Sequence, residues 1–129
     1  MNGFLGTYNV NLDDKGRLNV PAKFKSQLEQ DSPQLVMCVK DGFLIVFPQR
    51  EWSENEEKLS HLNAFDTDDR DRLREFYAQA TECEIKSGKI LIPAIQREAA
   101  GLKKEVMIVG MSKTFELWDP VRWGKHLDA

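Results

Sequence analysis

Cysteine and histidine are scarce in this 129-residue chain, two of each, and that scarcity removes most metal and nucleophile chemistry. Cys38 and Cys83 are flanked by apolar or β-forming residues, in no Cys-x-x-Cys pair and near no histidine ligand set. They read as buried free thiols that pack as small apolar groups. His61 and His126 fall in polar segments that read as helical, so a metal site or a histidine base would lack partners. No glycine loop is spaced to cradle phosphate, and Glu82 and Glu84 oppose formation of a thiolate at Cys83. No enzyme is expected, and with it no catalytic residue, cofactor or metal ion.

Long apolar runs are also missing. None approaches the ~20 residues needed to span a bilayer, and Met1-Asn2-Gly3-Phe4 lacks the basic and apolar segments of a secretory leader. A cytoplasmic protein with no membrane partner is expected. Gly/Ser-rich linkers are absent, so any connection between halves should be helical and packed. With 41% apolar and 30% charged residues, the chain suits one compact domain or two small modules sharing a core.

Positive charge is in deficit overall, at a net −3, which argues against a surface coated in nucleic-acid-binding cations. Its placement is uneven. From Asp13 to Lys25, four basic residues (Lys15, Arg17, Lys23, Lys25) face two acids. From Lys86 to Lys104, five (Lys86, Lys89, Arg97, Lys103, Lys104) face only Glu98. The acidic excess lies between, including Glu51, Glu54, Glu56, Glu57, Asp66, Asp68, Asp69 and Asp71. A polarised molecule follows, basic at two hairpins and acidic on its helices.

Those two basic stretches are copies of each other. Gly16-Arg17-Leu18-Asn19-Val20-Pro21-Ala22 matches Gly88-Lys89-Ile90-Leu91-Ile92-Pro93-Ala94 at an offset of 72 residues. Upstream, Tyr8, Val10 and Leu12 alternate with polar residues, as do Thr81, Cys83 and Ile85, which is strand periodicity. Downstream, Leu35 to Val39 and Phe43 to Phe47 have counterparts in Val106 to Val109 and Thr114 to Trp118, each followed by a proline-started helix with Trp52 or Trp123. Each repeat reads as strand, tight turn, strand, short helix, strand, strand, helix. Pro21 and Pro93 close strands and suit a first helical turn. The short helices should run over residues 21–30 and 93–100, with Gly101 as a left-handed cap. Lys40-Asp41-Gly42 and residues 110–113 should turn the second hairpins, and Asp119-Pro120 should start the last helix. Between the repeats, residues 48–62 and 67–79 read as helices, the second with a buried stripe of Leu73, Phe76 and Tyr77.

At these residues the sequence resembles the MraZ family. Residues 13–24 (Asp-Asp-Lys-Gly-Arg-Leu-Asn-Val-Pro-Ala-Lys-Phe) match its amino-terminal signature, and Ala80-Thr81-Glu82-Cys83-Glu84, Ile90-Leu91-Ile92-Pro93, residues 100–106 and Phe115-Glu116-Leu117-Trp118 are similar to it. The resemblance implies a mixed α+β, β-rich fold: two swapped-hairpin modules of the AbrB and MazE class forming a pseudo-two-fold β-barrel with flanking helices. The modules are expected over residues 5–52 and 80–123, with a helical connection over 53–79. Implied too is a nucleoid-associated, sequence-specific transcriptional regulator, binding double-stranded DNA at repeated boxes upstream of the division and cell-wall gene cluster, its own promoter included. It would assemble with itself into a ring-shaped homo-oligomer. The family's Asp-x-x-x-Arg element, tied to DNA binding, maps onto Asp13 and Arg17. The second turn departs from it: one residue shorter, no Asp in the matching place, and Lys89 where Arg is usual.

The candidate DNA-binding residues are therefore Asp13, Lys15, Gly16 and Arg17, with Lys86 and Lys89 at the second turn. A tip carrying Lys15 and Arg17 could enter a groove that admits a two-stranded ribbon, the guanidinium reading guanine and the lysine holding phosphate. The plain alternative is an Asp13–Arg17 ion pair on a solvated turn. Lys23 and Lys25 are secondary candidates for phosphate, and the tryptophans read as core or subunit contacts. A rival function is a protein-interaction module, antitoxin-like or scaffolding, of the same fold. Such antitoxins append a toxin-binding tail, whereas here seven residues follow Arg122.

Overall fold

The structure is a computed structural model that describes residues 3–31 and 33–128, with only the backbone of Asp31. Met1 and Asn2, on which the leader argument partly leaned, lie outside them. Period-two alternation produces β1 (Thr7–Asn11), whose residues are exposed and half-buried in turn, and β2 (Arg17–Asn19), which buries Leu18 between two exposed neighbours. Pro21 stops the ladder and opens α1 (Ala22–Asp31), where Phe24 and Leu28, one turn apart, are 1% exposed. β3 (Gln34–Lys40) and β4 (Phe43–Pro48) are joined through Asp41 and Gly42, both at positive φ, as the twist of a two-residue hairpin requires. After α2 (Gln49–Lys58) and α3 (Thr67–Tyr77) the pattern repeats as β5 (Ala80–Lys86), β6 (Lys89–Leu91), α4 (Ala94–Ala100), β7 (Glu105–Gly110), β8 (Phe115–Trp118) and α5 (Pro120–Leu127). Gly101 caps α4 at φ 64°, and Asp119 caps α5 by accepting from Arg122 N, as expected.

The strands form one antiparallel sheet in the order β1-β7-β8-β4-β3-β5-β6-β2, and a bridge between Leu12 and Leu18 brings its ends together into a nearly closed eight-strand barrel. Hairpins are exchanged between halves. β1 pairs with β7, and its counterpart β5 pairs with β3, in the same register: Val10 faces Val106 as Cys83 faces Leu35. β2 pairs with β6 about Leu18 and Ile90, and β4 with β8 about Ile45 and Glu116, so both seams lie on a pseudo-two-fold axis. The fold is thus mixed α+β and β-rich, with swapped hairpins.

Matching positions fill the core. Leu18 and Ile90, Val20 and Ile92, Leu35 and Val106, Met37 and Ile108, Leu44 and Phe115, and Val46 and Leu117 belong to one buried cluster. One pair breaks the symmetry. Phe24 packs edge-on to Phe4 at 5.0 Å and near Phe115 at 5.4 Å, whereas its counterpart Gln96 is a buried amide bonded to Gln79 O at 3.4 Å.

Four expectations need correction. α2 ends at Lys58 rather than residue 62, because Leu59 and Ser60 amides bond three residues back and Ser60 Oγ takes Glu57 O at 2.7 Å. His61 accordingly lies in a turn, while His126, on α5, sits against the Trp118 ring at 5.1 Å. α3 ends at Tyr77, since the chain from Ala80 pairs in β5, and its stripe is only half-buried: Tyr77 is 41% exposed with its hydroxyl on Glu56 at 2.8 Å. The helix covers the outside of an already filled barrel, stacking Phe76 on Trp52 at 4.4 Å.

Candidate nucleic-acid interface

The first turn is built around one carboxylate. Asp13 Oδ1 accepts from the Lys15 and Arg17 amides, both at 2.9 Å, and Oδ2 accepts from Arg17 Nε at 2.8 Å. Gly16, at φ 82°, lets the chain reverse within three residues and donates to Asp13 O at 3.0 Å. The backbone bond from Arg17, followed by that residue's side-chain bond and the Lys15 amide, holds the Asp13 carboxyl below its ordinary range despite an opposing desolvation. Holding Nε leaves the two Nη groups of Arg17 without a protein acceptor among the described residues, on a side chain 43% exposed. Lys15 is exposed beside it.

From this turn β2 runs along β6. Leu18 and Ile90 point inward at 0% exposure, so Arg17, Asn19, Lys89 and Leu91 share the outer face of a two-stranded ribbon, Arg17 opposite Leu91 and Lys89 opposite Asn19. The second turn, Ser87-Gly88, has both residues at positive φ and no carboxylate at its centre. Lys86 and Lys89 face each other across it, a like-charge pairing that a ladder disfavours. Lys86 reaches Glu84 Oε1 at 3.5 Å on a side chain 83% exposed. All six expected residues therefore gather at the two ends of one ribbon, but among the cations only Arg17 is held by a close side-chain hydrogen bond. Lys23 is exposed on α1, and Lys25 lies over Gly88 of the other repeat.

Arg97 is the residue that reading for motifs passed over as a charge on a helix. It lies over Gly16. The signal was present, because the offset that pairs Gly16 with Gly88 also pairs Lys25 with Arg97.

Elsewhere the surface offers little chemistry. Burial pushes the Cys38 and Cys83 thiols up to about 11 and about 12, so both stay protonated and unreactive near neutrality; Cys38 is buried, Cys83 half-buried. No helix among the described residues is long and apolar enough to cross a membrane. Trp52 and Trp123 pack within the chain, on Phe76 and against Trp118 at 5.3 Å. Acidic α2 packs on β3 and β4, half-way round the barrel from the β2–β6 seam.

The molecule is thus a single-chain, pseudo-two-fold swapped-hairpin barrel with a basic turn at each end of its central ribbon. The profile of one family, described as "MraZ protein, putative antitoxin-like", matches residues 4–75 and again 76–129. Proteins named "Transcriptional regulator MraZ" are similar over nearly the whole chain. That of Halothermothrix orenii is 43% identical over 127 residues, 98% of this chain and 87% of its own. That of Ligilactobacillus salivarius is 44% identical over 126 residues, 97% and 87%, and that of Escherichia coli K12 is 40% identical over 128, 96% and 84%. The chain belongs to the MraZ family, which is one of transcriptional regulators and not of enzymes.

Proposed function

We propose that this protein is a sequence-specific regulator that binds double-stranded DNA through the outer face of its β2–β6 ribbon and the two turns. The observation that carries the reading is the Asp13-locked guanidinium of Arg17, whose outward donors have no protein acceptor among the described residues. A two-stranded ribbon fits the major groove, and a fixed guanidinium there pairs with the O6 and N7 acceptors of guanine. Lys15, Lys86 and Lys89 are point charges suited to phosphate, so they contribute affinity and register more than sequence discrimination. The plain ion pair and DNA reading are compatible, because the pair uses only one edge of the guanidinium.

The finer reading follows the family resemblance. The chain divides into modules over residues 5–52 and 80–123 with a helical connection over 53–79. Its sites are repeated boxes upstream of the division and cell-wall gene cluster, its own promoter included. It acts in the cytoplasm on the nucleoid, as a ring-shaped homo-oligomer.

Binding across a salt series to DNA from upstream of the protein's own gene tests the reading. Arg17→Ala should abolish preference for that DNA over a scrambled duplex, a loss of ~1–3 kcal/mol of discrimination, while the fold persists. Lys89→Ala should weaken both duplexes alike. Wild-type affinity and preference in Arg17→Ala at physiological salt would refute the assignment.

A further inference from the structure

α1 and α4 each lay one cation across the turn of the opposite repeat. A Cβ built on Gly16 would lie 2.7 Å from Arg97 Nη1 and 2.8 Å from its Cζ; one built on Gly88 would lie 2.5 Å from Lys25 Cε and 2.6 Å from its Nζ. The backbone repeats the crossing, since Ile92 N donates to Gly16 O at 2.9 Å and Val20 N to Gly88 O at 3.0 Å. Both glycines are buried beneath these contacts. Each turn is therefore completed by the helix start of the other half.

The two cations differ in what they leave open. Among the described residues Arg97 makes no ion pair and no side-chain hydrogen bond, and its Nε is shielded from solvent without an acceptor. A shielded donor on a permanent cation is costly, and such groups are ordinarily completed by a partner. The turn's own acids do not supply one: Asp13 is occupied by Arg17 and two amides, and Asp14 makes no ion pair among the described residues. More positive charge converges there. Lys15 is exposed on the turn, and Lys104 O accepts from Leu12 N at 2.7 Å, which starts the exposed Lys104 side chain at the same end of the barrel. At the second turn Pro33 O takes the matching bond, from Ile85 N at 2.9 Å, and Lys86 is drawn to Glu84.

We propose that Arg97 completes a phosphate-binding site at the first turn, so that the DNA backbone beside the base-reading Arg17 of one repeat is held by a guanidinium from the other. This rests on the DNA-binding reading above and deepens it. Arg97 supplies a planar donor set matched to two phosphate oxygens, with Lys15 and Lys104 adding unfixed charge around it. Neither repeat alone carries the whole first-turn site.

The test uses the full chain, a specific and a scrambled duplex, and a salt series. Arg97→Gln and Arg97→Met both keep an unbranched stem across Gly16 while removing the charge, and Arg97→Lys keeps the charge. Loss of one phosphate contact should weaken both duplexes about tenfold near physiological salt and lower the slope of log affinity against log salt by about 0.9, with the Lys variant retaining the slope. A wild-type slope in both neutral variants, whether or not affinity falls, would overturn the proposal while Arg17→Ala still lost specific binding. Were Arg17→Ala also to match wild type, the underlying DNA reading would fail, and this one with it.

Discussion

Asp13 shows how one side chain can serve the turn and its function together. Its three accepted N–H bonds close the loop, and the same carboxylate fixes the direction of Arg17. Because its folded pKa is depressed, the interaction is fully present above the ordinary value of 3.8 and is lost only as pH falls through the depressed one. Specific binding through Arg17 should then be indifferent to Asp13 titration from about pH 8 down to about pH 5. Asp13→Asn should separate orientation from charge. It removes a negative group beside DNA, which favours non-specific attachment, yet it frees the guanidinium, so discrimination should fall by up to ~1–3 kcal/mol. Binding to operator and scrambled duplexes measures both; an unchanged ratio would show that Arg17 needs no carboxylate to aim it. The Asp-x-x-x-Arg spacing and its glycine were legible in the sequence because turn chemistry is local. The role of Gly16 as a seat for Arg97 was not, since that contact joins residues from opposite halves.

At the scale of elements, existence was easier to read than partnership. Alternating apolar positions predict β1 and β5 whatever they pair with, and nothing local says that β1 joins β7 in a full ladder while its end meets β2 through the isolated Leu12–Leu18 bridge. The repeat is the clue, because two copies of one hairpin can exchange partners at no loss of register. Helix ends were misjudged where side chains compete for carbonyls, as at Ser60, and the α3 stripe where a filled barrel left an aromatic little to sink into. The helices also differ in what they contribute. Phe24 on α1 is 1% exposed among three rings, whereas Gln96 on α4 buries an amide for a single bond of 3.4 Å. Phe24→Ala should therefore cost ~3–5 kcal/mol. Gln96→Leu exchanges that weak bond for apolar burial and should change stability by less than about 1 kcal/mol. Urea unfolding measures both; equal losses would mean that the two helices anchor the barrel alike.

Taken whole, the molecule separates its charges by means of its strand order. The β2–β6 ribbon and the β4–β8 seam lie on the same axis at opposite sides of the barrel, and acidic α2 packs toward the latter, so the turn cations Lys15, Arg17, Lys86 and Lys89 lie away from that helix on a chain with net charge −3. A few cations at two tips give weak, salt-sensitive attachment in one copy. Joining copies raises effective concentration at each further box without any new kind of contact. The tryptophans Trp52 and Trp123, expected as candidates for such joining, are engaged within the chain. Other apolar side chains are left outward, among them Phe65 at 93% exposure between α2 and α3, Ile95 on α4 at 73%, and Val121 and Leu127 on α5 at 64% and 62%. Apolar surface of this kind is what subunit contacts would cover. If the regulator is a closed ring, its ribbons are fixed relative to one another, and boxes must present the same side of the duplex to be engaged together. An insertion of about five base pairs between two boxes should then rotate one of them away and reduce affinity toward that of a single box, while about ten should restore it. The mass of the free protein in solution and its affinity for one box, two boxes and two boxes with altered spacing decide the matter. A monomer that binds one box as tightly as a tandem pair, at any spacing, would exclude the ring and leave the two tips of a single chain to account for all recognition.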